Sequence, residues 1–336
     1  MTGRHRVAIT GVGAVTTVVR GGADAVARAI ASRVAADPER IDRALAELVD
    51  PTDARRLSRV CQLTIAAAVL STADAGLTSA EELGLVVGTE FGDLRSTLAF
   101  VDGYLGRGPS GLSPLLFPNT VMNTMAAATA IALTARDVSL TIAAPTVAGE
   151  LAIARAAASV AAGRVSVVLA GGVDELDPLV AAVLNEAGGA FAPRGEGAAF
   201  LVLERHDTAV ARGARVLGDV LATASGALPA AAYGVGRRVT SPVVMQALAR
   251  AGVTPDGIRA VYTGENGDRS RDRWEAAVLA VGVSAVQRAP AIARQFGQTS
   301  AVGPLKVAAA VLDGFGPALI HGLARGGGHV ALVVRP

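Results

Sequence analysis

The stretch Thr141–Gly163, "TIAAPTVAGELAIARAAASVAAG", has the layout of a reactive site. The apolar, β-branched run from Val138 to Ala143 predicts a buried strand. A turn follows at Pro145 and Thr146, and Gly149 to Ala162 predicts a helix of small residues. Such a layout sets the tip residue beside free N–H groups and the positive end of a helix dipole, where an anion is stabilised. A cysteine at the tip would ionise readily, but the tip residue is Thr146. A threonine hydroxyl attacks only with an activating base, and the sequence sets none beside it, so a structural role is expected. Cys61, the one cysteine, falls on the apolar face of an early helix and reads as packed core. It excludes an intrachain disulfide or a cysteine-rich zinc site. Of the histidines, His5 is terminal and His206 opens a surface helix. His329 adjoins a glycine turn and reads as a strand-edge residue. Asp272 and Glu275 stand at a helix start, the ordinary place for acids. The glycines of "TGVGAVT" lack the third glycine and the later acid of a dinucleotide fingerprint. Neither a metal nor a cofactor is expected.

These residues sit in a chain of alternating strands and helices. "HRVAITGVGAV" reads as a strand into a glycine turn, and "DARRLSRVCQLTIAAAVLSTADAG" as a helix closed at Gly76. "LGLVVGTEFG" is a strand, and "NTVMNTMAAATAIAL" a helix begun near Asn119. "VSVVLAGGVDEL" and "GAAFLVLERH" are strands. The pattern returns in "GIRAVYTGENG", "AVGPLKVAAAVLDG" and "HVALVV". Alternation of this kind indicates an α/β protein, with halves 1–212 and 213–336. Of 336 residues, 51% are hydrophobic and 18% charged, which demands a thick core or a large subunit interface. The net charge of +2 is too small for a nucleic-acid groove. The uncharged run from Gly108 to Ala135 is broken by Pro109, Pro114 and Pro118, so it reads as interface rather than membrane span. The N-terminal stretch lacks the continuous apolar core of a signal peptide, and a cytoplasmic location is expected.

Three further stretches carry a resemblance: "LSPLLFPNTVMNTMAAATAIAL", "EGAAFLVLERHDTAVARGARVLGDV" and "DARRLSRVCQLTIAAAVLSTADAGL". In order and spacing they resemble the β-ketoacyl-acyl-carrier-protein synthases. The resemblance implies a thiolase fold: five αβαβα layers, two pseudo-symmetric halves and a dimer. The family's chemistry uses a cysteine and two histidines. Here the corresponding positions hold Thr146, Gly264 and Gln298. The family's upstream lysine has no counterpart, Arg294 lying one residue out of register. Arg325 stands in a glycine-rich turn that normally bears an aromatic gate. A scaffold retained without its catalytic set is most similar to the chain length factors of type II polyketide synthases, which serve polyketide and antibiotic biosynthesis. The resemblance implies an active ketosynthase as partner, acyl carrier protein engaged through the complex, and an acyl tunnel ending at the interface helix from Asn119 to Ala128. Phe117, Val121, Met122, Thr124 and Met125 are expected to line that end. An acyltransferase using Thr146, or a stand-alone acyl-binding module, are the other readings.

Overall fold

The computed structural model describes residues 5–186, 192–283 and 289–336. Ten strands are present among them. They are β1 (Val7–Thr16), β2 (Arg20–Gly21), β3 (Leu83–Thr89), β4 (Ser139–Ala143), β5 (Val167–Asp174), β6 (Gly197–Arg205), β7 (Gly218–Ala227), β8 (Ala260–Tyr262), β9 (Ala318–Leu323) and β10 (Gly328–Arg335). The helices that matter here are α1 (Ala23–Ser32), α2 (Glu39–Leu48), α3 (Arg59–Asp74), α4 (Leu94–Arg107), α5 (Thr124–Leu133), α6 (Ala148–Ala161), α7 (Val243–Ala251), α8 (Arg269–Ala280) and α9 (Val302–Leu312).

One half of the sheet runs β4-β3-β5-β6-β1 and the other β7-β10-β9-β8. They meet only where Val7, Ala8 and Ile9 of β1 pair with Val220, Asp219 and Gly218 of β7. The cores explain the layering. One cluster packs α2, α3 and α5 on the outer face of the first half, through Ile41, Leu63, Met125 and Phe200. A second lies between the two halves. There Ile153 of α6 and Leu305 of α9 belong to one core with residues of both half-sheets, such as Leu201 and Leu332. A third sets Val244 and Leu248 of α7 against Leu319 and Val333. Helix, sheet, helices, sheet, helix is the five-layered αβαβα thiolase fold.

Three expectations change in the structure. The "glycine turn" of the N-terminal stretch is part of β1, which continues to Thr16. Gly11 and Gly13 are there because α3 crosses close: a Cβ on Gly13 would lie 2.3 Å from the Ser71 amide nitrogen and 2.5 Å from the Ala67 carbonyl oxygen. The strand before Thr146 is not buried; Ser139 and Ala143 are exposed because β4 is the sheet's edge and pairs with β3 alone. The helix expected from Asn119 starts five residues later. Phe117–Thr120 is a single 3-10 turn after which the chain extends at Val121, and α5 begins at Thr124.

Candidate functional site

Thr146 stands at the junction of β4 and α6, where the sequence put it. Its φ is 53°, a left-handed value that a β-branched side chain adopts only under strain. Val147 N–H donates to the Pro145 carbonyl at 2.6 Å across the tip, so the bend is tight. The turn aims the Thr146 hydroxyl inward, but its Oγ1 is buried with no hydrogen-bond partner among the described residues. The Glu90 carboxylate, at the end of β3, takes the Thr146 backbone N–H instead. Burial pushes the Glu90 carboxyl up, against the pull of Arg194 beside it.

The second half delivers two amides. Gln298 is gripped through its backbone: its N–H donates to Pro193 O at 2.8 Å, and Gly195 N–H donates to its carbonyl at 3.0 Å. Its side-chain Nε2 reaches Thr146 O at 3.3 Å, and its Oε1 accepts from Asn266 Nδ2 at 2.9 Å. The side chain facing Gln298 therefore comes from Asn266, two residues beyond Gly264. At Gly264 an added Cβ would meet Arg271 Nη1 at 2.9 Å. Arg271 takes up this space and donates to Gly264 O at 2.5 Å. The structure thus brings Thr146 and Gln298 together, while Gly264 contributes backbone only.

Sequence reasoning missed a buried charge network under this tip. Lys306, the one lysine of the chain, is fully buried on α9 and lies 2.6 Å from Glu150 of α6. Its Nζ also donates to His321 O at 2.7 Å. His321 Nδ1 meets Glu275 Oε1 at 2.7 Å, and Glu275 pairs with Arg271 at 3.0 Å. Burial opposes the charge on Glu275, but Arg271 and His321 outweigh it and hold the carboxyl far below its usual range. His321 Nε2 touches His329 Nε2 at 2.7 Å, and His329 Nδ1 reaches the Ser241 hydroxyl at 2.9 Å. Burial, then the neighbouring His321, lowers His329 to about 3, so this ring is neutral. His329 is therefore a core residue, not a strand-edge one, and Glu275 is a node of the network rather than a dipole partner. The one legible hint was a solitary lysine inside the apolar helix pattern "GPLKVAAAVL".

The expected tunnel residues divide. Met125 is fully buried in the outer core of the first half, and Thr124 is half-buried. Phe117, Val121 and Met122 are exposed. They continue an apolar face with Tyr104 and Leu105 of α4 and with Leu115. The Phe117 ring lies tilted against Phe100 of α4, centroids 6.0 Å apart, and Met122 covers Gly92. Cys61 is buried, and burial pushes its thiol up to about 11. No group of three or more histidine, cysteine or acidic residues able to hold a metal occurs among the described residues. No helix among them is long and apolar enough to cross a membrane.

Two half-sheets around a shared helical layer, with a strained strand–turn–helix tip facing Gln298 of the second half, define a thiolase-fold protein. Residues 20–209, over half the chain, match the family described as beta-ketoacyl synthase, N-terminal domain, and the chain belongs to the β-ketoacyl synthase family. It is 27% identical over 257 residues to the 3-oxoacyl-[acyl-carrier-protein] synthase 2 of Synechocystis sp., covering 65% of this chain and 62% of that one. With the synthase of the same name from Vibrio cholerae it shares 26% over 193 residues, 50% of this chain and 47% of that one. The chain thus matches about half to under two thirds of the length of these relatives. In fold it resembles the ishigamide ketosynthase/chain length factor, with a TM-score of 0.83 at 21% identity over 99% of each chain. It also resembles AntDE:AntF, a type II polyketide synthase acyl-carrier protein in complex with its hexaketide-bound ketosynthase. There the TM-score is 0.82 at 16% identity, again over 99% of each chain.

Proposed function

We propose that this chain is a non-catalytic ketosynthase-like subunit, a chain length factor, that pairs with an active ketosynthase and limits the length of a polyketide. The observation that carries the reading is the state of the tip. Thr146 keeps the strained pointing geometry of a nucleophile, yet its hydroxyl has no base: Glu90 takes the backbone amide, and no histidine lines the hollow around it among the described residues. Gln298 and Asn266 are bonded to each other, and neither amide can take up a proton from a hydroxyl. Such a site does not perform acyl transfer alone, which disfavours the acyltransferase reading.

A second feature supports a partner. The outer edge of β4 pairs with no strand among the described residues, and α4, Leu115, Phe117, Val121 and Met122 expose apolar side chains. Leu115 is 87% and Leu105 74% exposed, values that favour a covered face in the working assembly. On this reading the partner supplies the cysteine and histidines, and acyl carrier protein is engaged through the complex. The acyl tunnel ends against Phe117, Val121 and Met122, with Thr124 and Met125 behind them. The halves 1–212 and 213–336 act as one unit, in the cytoplasm. Residues Thr146, Gly264 and Gln298 take no part in bond making.

The test is reconstitution. Co-expression with a ketosynthase bearing an intact cysteine and histidine pair yields a one-to-one complex that makes products of defined length. Tryptophan at Val121 or Met122 shortens them by whole two-carbon units. A chain that stays a well-behaved monomer beside each ketosynthase offered, or that becomes acylated alone on incubation with acyl carrier protein, overturns the proposal.

A further inference from the structure

The hollow over Thr146 is closed as well as unreactive. It is lined by Glu90, Thr146, Arg194, Asp268, Gln298 and Arg325, among others, and leaves about 20 Å³ of free space. That is room for about one water, whereas sites for small organic ligands run to roughly 300–1,000 Å³. A second hollow beneath it, between Thr146, Glu150, Arg271 and Lys306, holds about 10 Å³.

We propose that two ion pairs, Arg194–Glu90 and Arg325–Asp268, bar this hollow, so that a thioester-bearing arm cannot reach the tip even when the tip is made reactive. The inference rests on the family reading only for the kind of arm excluded. Arg194 lies 2.7 Å from Glu90 and Arg325 lies 2.5 Å from Asp268. The four side chains are between 3% and 14% exposed, so these are not loose surface pairs. Each bar is tied at both ends. The Arg194 guanidinium lies over the Phe91 ring at 5.1 Å, and its backbone bridges to Gln298. Asp268 also caps α8 through the Arg271 N–H at 3.2 Å, and Arg325 also donates to Tyr233 O at 3.1 Å. One bar belongs to the first half of the chain and the other to the second, so the two close the hollow from opposite sides. Sliding either guanidinium aside strands a carboxylate in a poorly hydrated place, which is costly.

The test uses the full-length chain carrying Thr146→Cys, with alkylation by iodoacetamide followed by peptide mass mapping, which separates this thiol from Cys61. The thiol is expected to react about 100-fold more slowly than in the urea-unfolded chain, because labelling waits for local opening. Removing both charges of each pair together, by Glu90→Gln with Arg194→Met and Asp268→Asn with Arg325→Met, avoids lone buried charges and is expected to raise the rate about tenfold or more. Should that variant fail to fold, Thr146→Cys alone still decides. Behind a closed mouth, methyl methanethiosulfonate outpaces a long N-alkyl maleimide by about tenfold relative to the unfolded chain. Labelling of the folded single variant at the unfolded rate, equal relative rates for the two reagents, or an unchanged rate without the bars overturns the proposal. An open hollow would leave the length-control reading intact, since that is judged from products of the complex.

Discussion

Lys306→Met is the sharpest probe of the charge network. The ammonium and the Glu150 carboxylate are both almost wholly out of water, and they lie 2.6 Å apart. Glu150 Oε2 has no hydrogen-bond partner among the described residues, so its carboxylate depends on Lys306. Methionine keeps most of the shape of the lysine stem and removes the charge. What remains is a buried carboxylate without a counter-ion, and breaking a buried pair in this way costs about 3–5 kcal/mol. Against a total stability of roughly 5–15 kcal/mol, that is a large fraction. Glu150→Gln alone should also destabilise, leaving the ammonium with the His321 carbonyl. The double variant should recover most of the loss, because a buried pair replaced by neutral groups is often neutral overall. Chemical denaturation of the four proteins at one pH gives the coupling directly, expected at about 2 kcal/mol or more. If Lys306→Met costs less than about 1 kcal/mol, the pair is screened and adds little to the fold.

Other outcomes follow from the same structure. His329 titrates near 3 in the fold against about 6.5 when unfolded. The unfolded chain therefore takes the extra proton, and stability falls as pH drops from about 6.5 towards 3, by up to about 1.4 kcal/mol per pH unit. Glu175 has the opposite sign. Burial raises it to about 7, so its contribution is present below about 4.5 and lost as pH rises through 7; Glu175→Gln should flatten the stability curve between those limits, as measured by denaturation across pH. Thr146→Ala should leave condensation by the complex unchanged, and a rate loss of about 100-fold, on the order of 3 kcal/mol in the barrier, would show that the hydroxyl takes part. Gly13→Ala drives a Cβ into the backbone of α3 and should cost about 3 kcal/mol or abolish soluble expression, a melting temperature near wild type being the contrary result. Met125→Trp should unfold the first half rather than shorten products, unlike the same change at Met122, because Met125 is enclosed by core.

The tip was readable because its signals are local. An apolar run, a proline turn and small residues at helical spacing follow one another within about twenty positions, and β4, Thr146 and α6 form accordingly. Its degree of burial was not readable, since the run from Val138 looks the same on an edge as inside a sheet. Gly11 and Gly13 resembled a turn because glycine marks both turns and close crossings, and only the passage of α3 distinguishes them. The start of α5 was not readable because Pro118 fits the first turn of a helix, whereas the chain closes a 3-10 turn there and extends at Val121 before α5 begins. The charge network was hidden for a different reason. Glu150, Arg271, Glu275, Lys306, His321 and His329 come from several elements, the first more than a hundred positions before the rest. Beyond the i,i+4 pair Arg271 and Glu275 on α8 no periodicity links them, and only Lys306 looks out of place where it stands.

The uncovered β4 edge also bears on how the chain must be made. Its outward N–H and C=O groups are a template for whatever strand arrives first, and the exposed apolar side chains of α4 and residues 115–122 would adhere to a second copy as readily as to a different subunit. Among the described residues no strand pairs with that border, so on the proposed reading copies made in excess of a partner leave it open. Under the heterodimer proposal, balanced, closely timed synthesis of the two subunits, or prompt proteolysis of the surplus, is the expected consequence of that border.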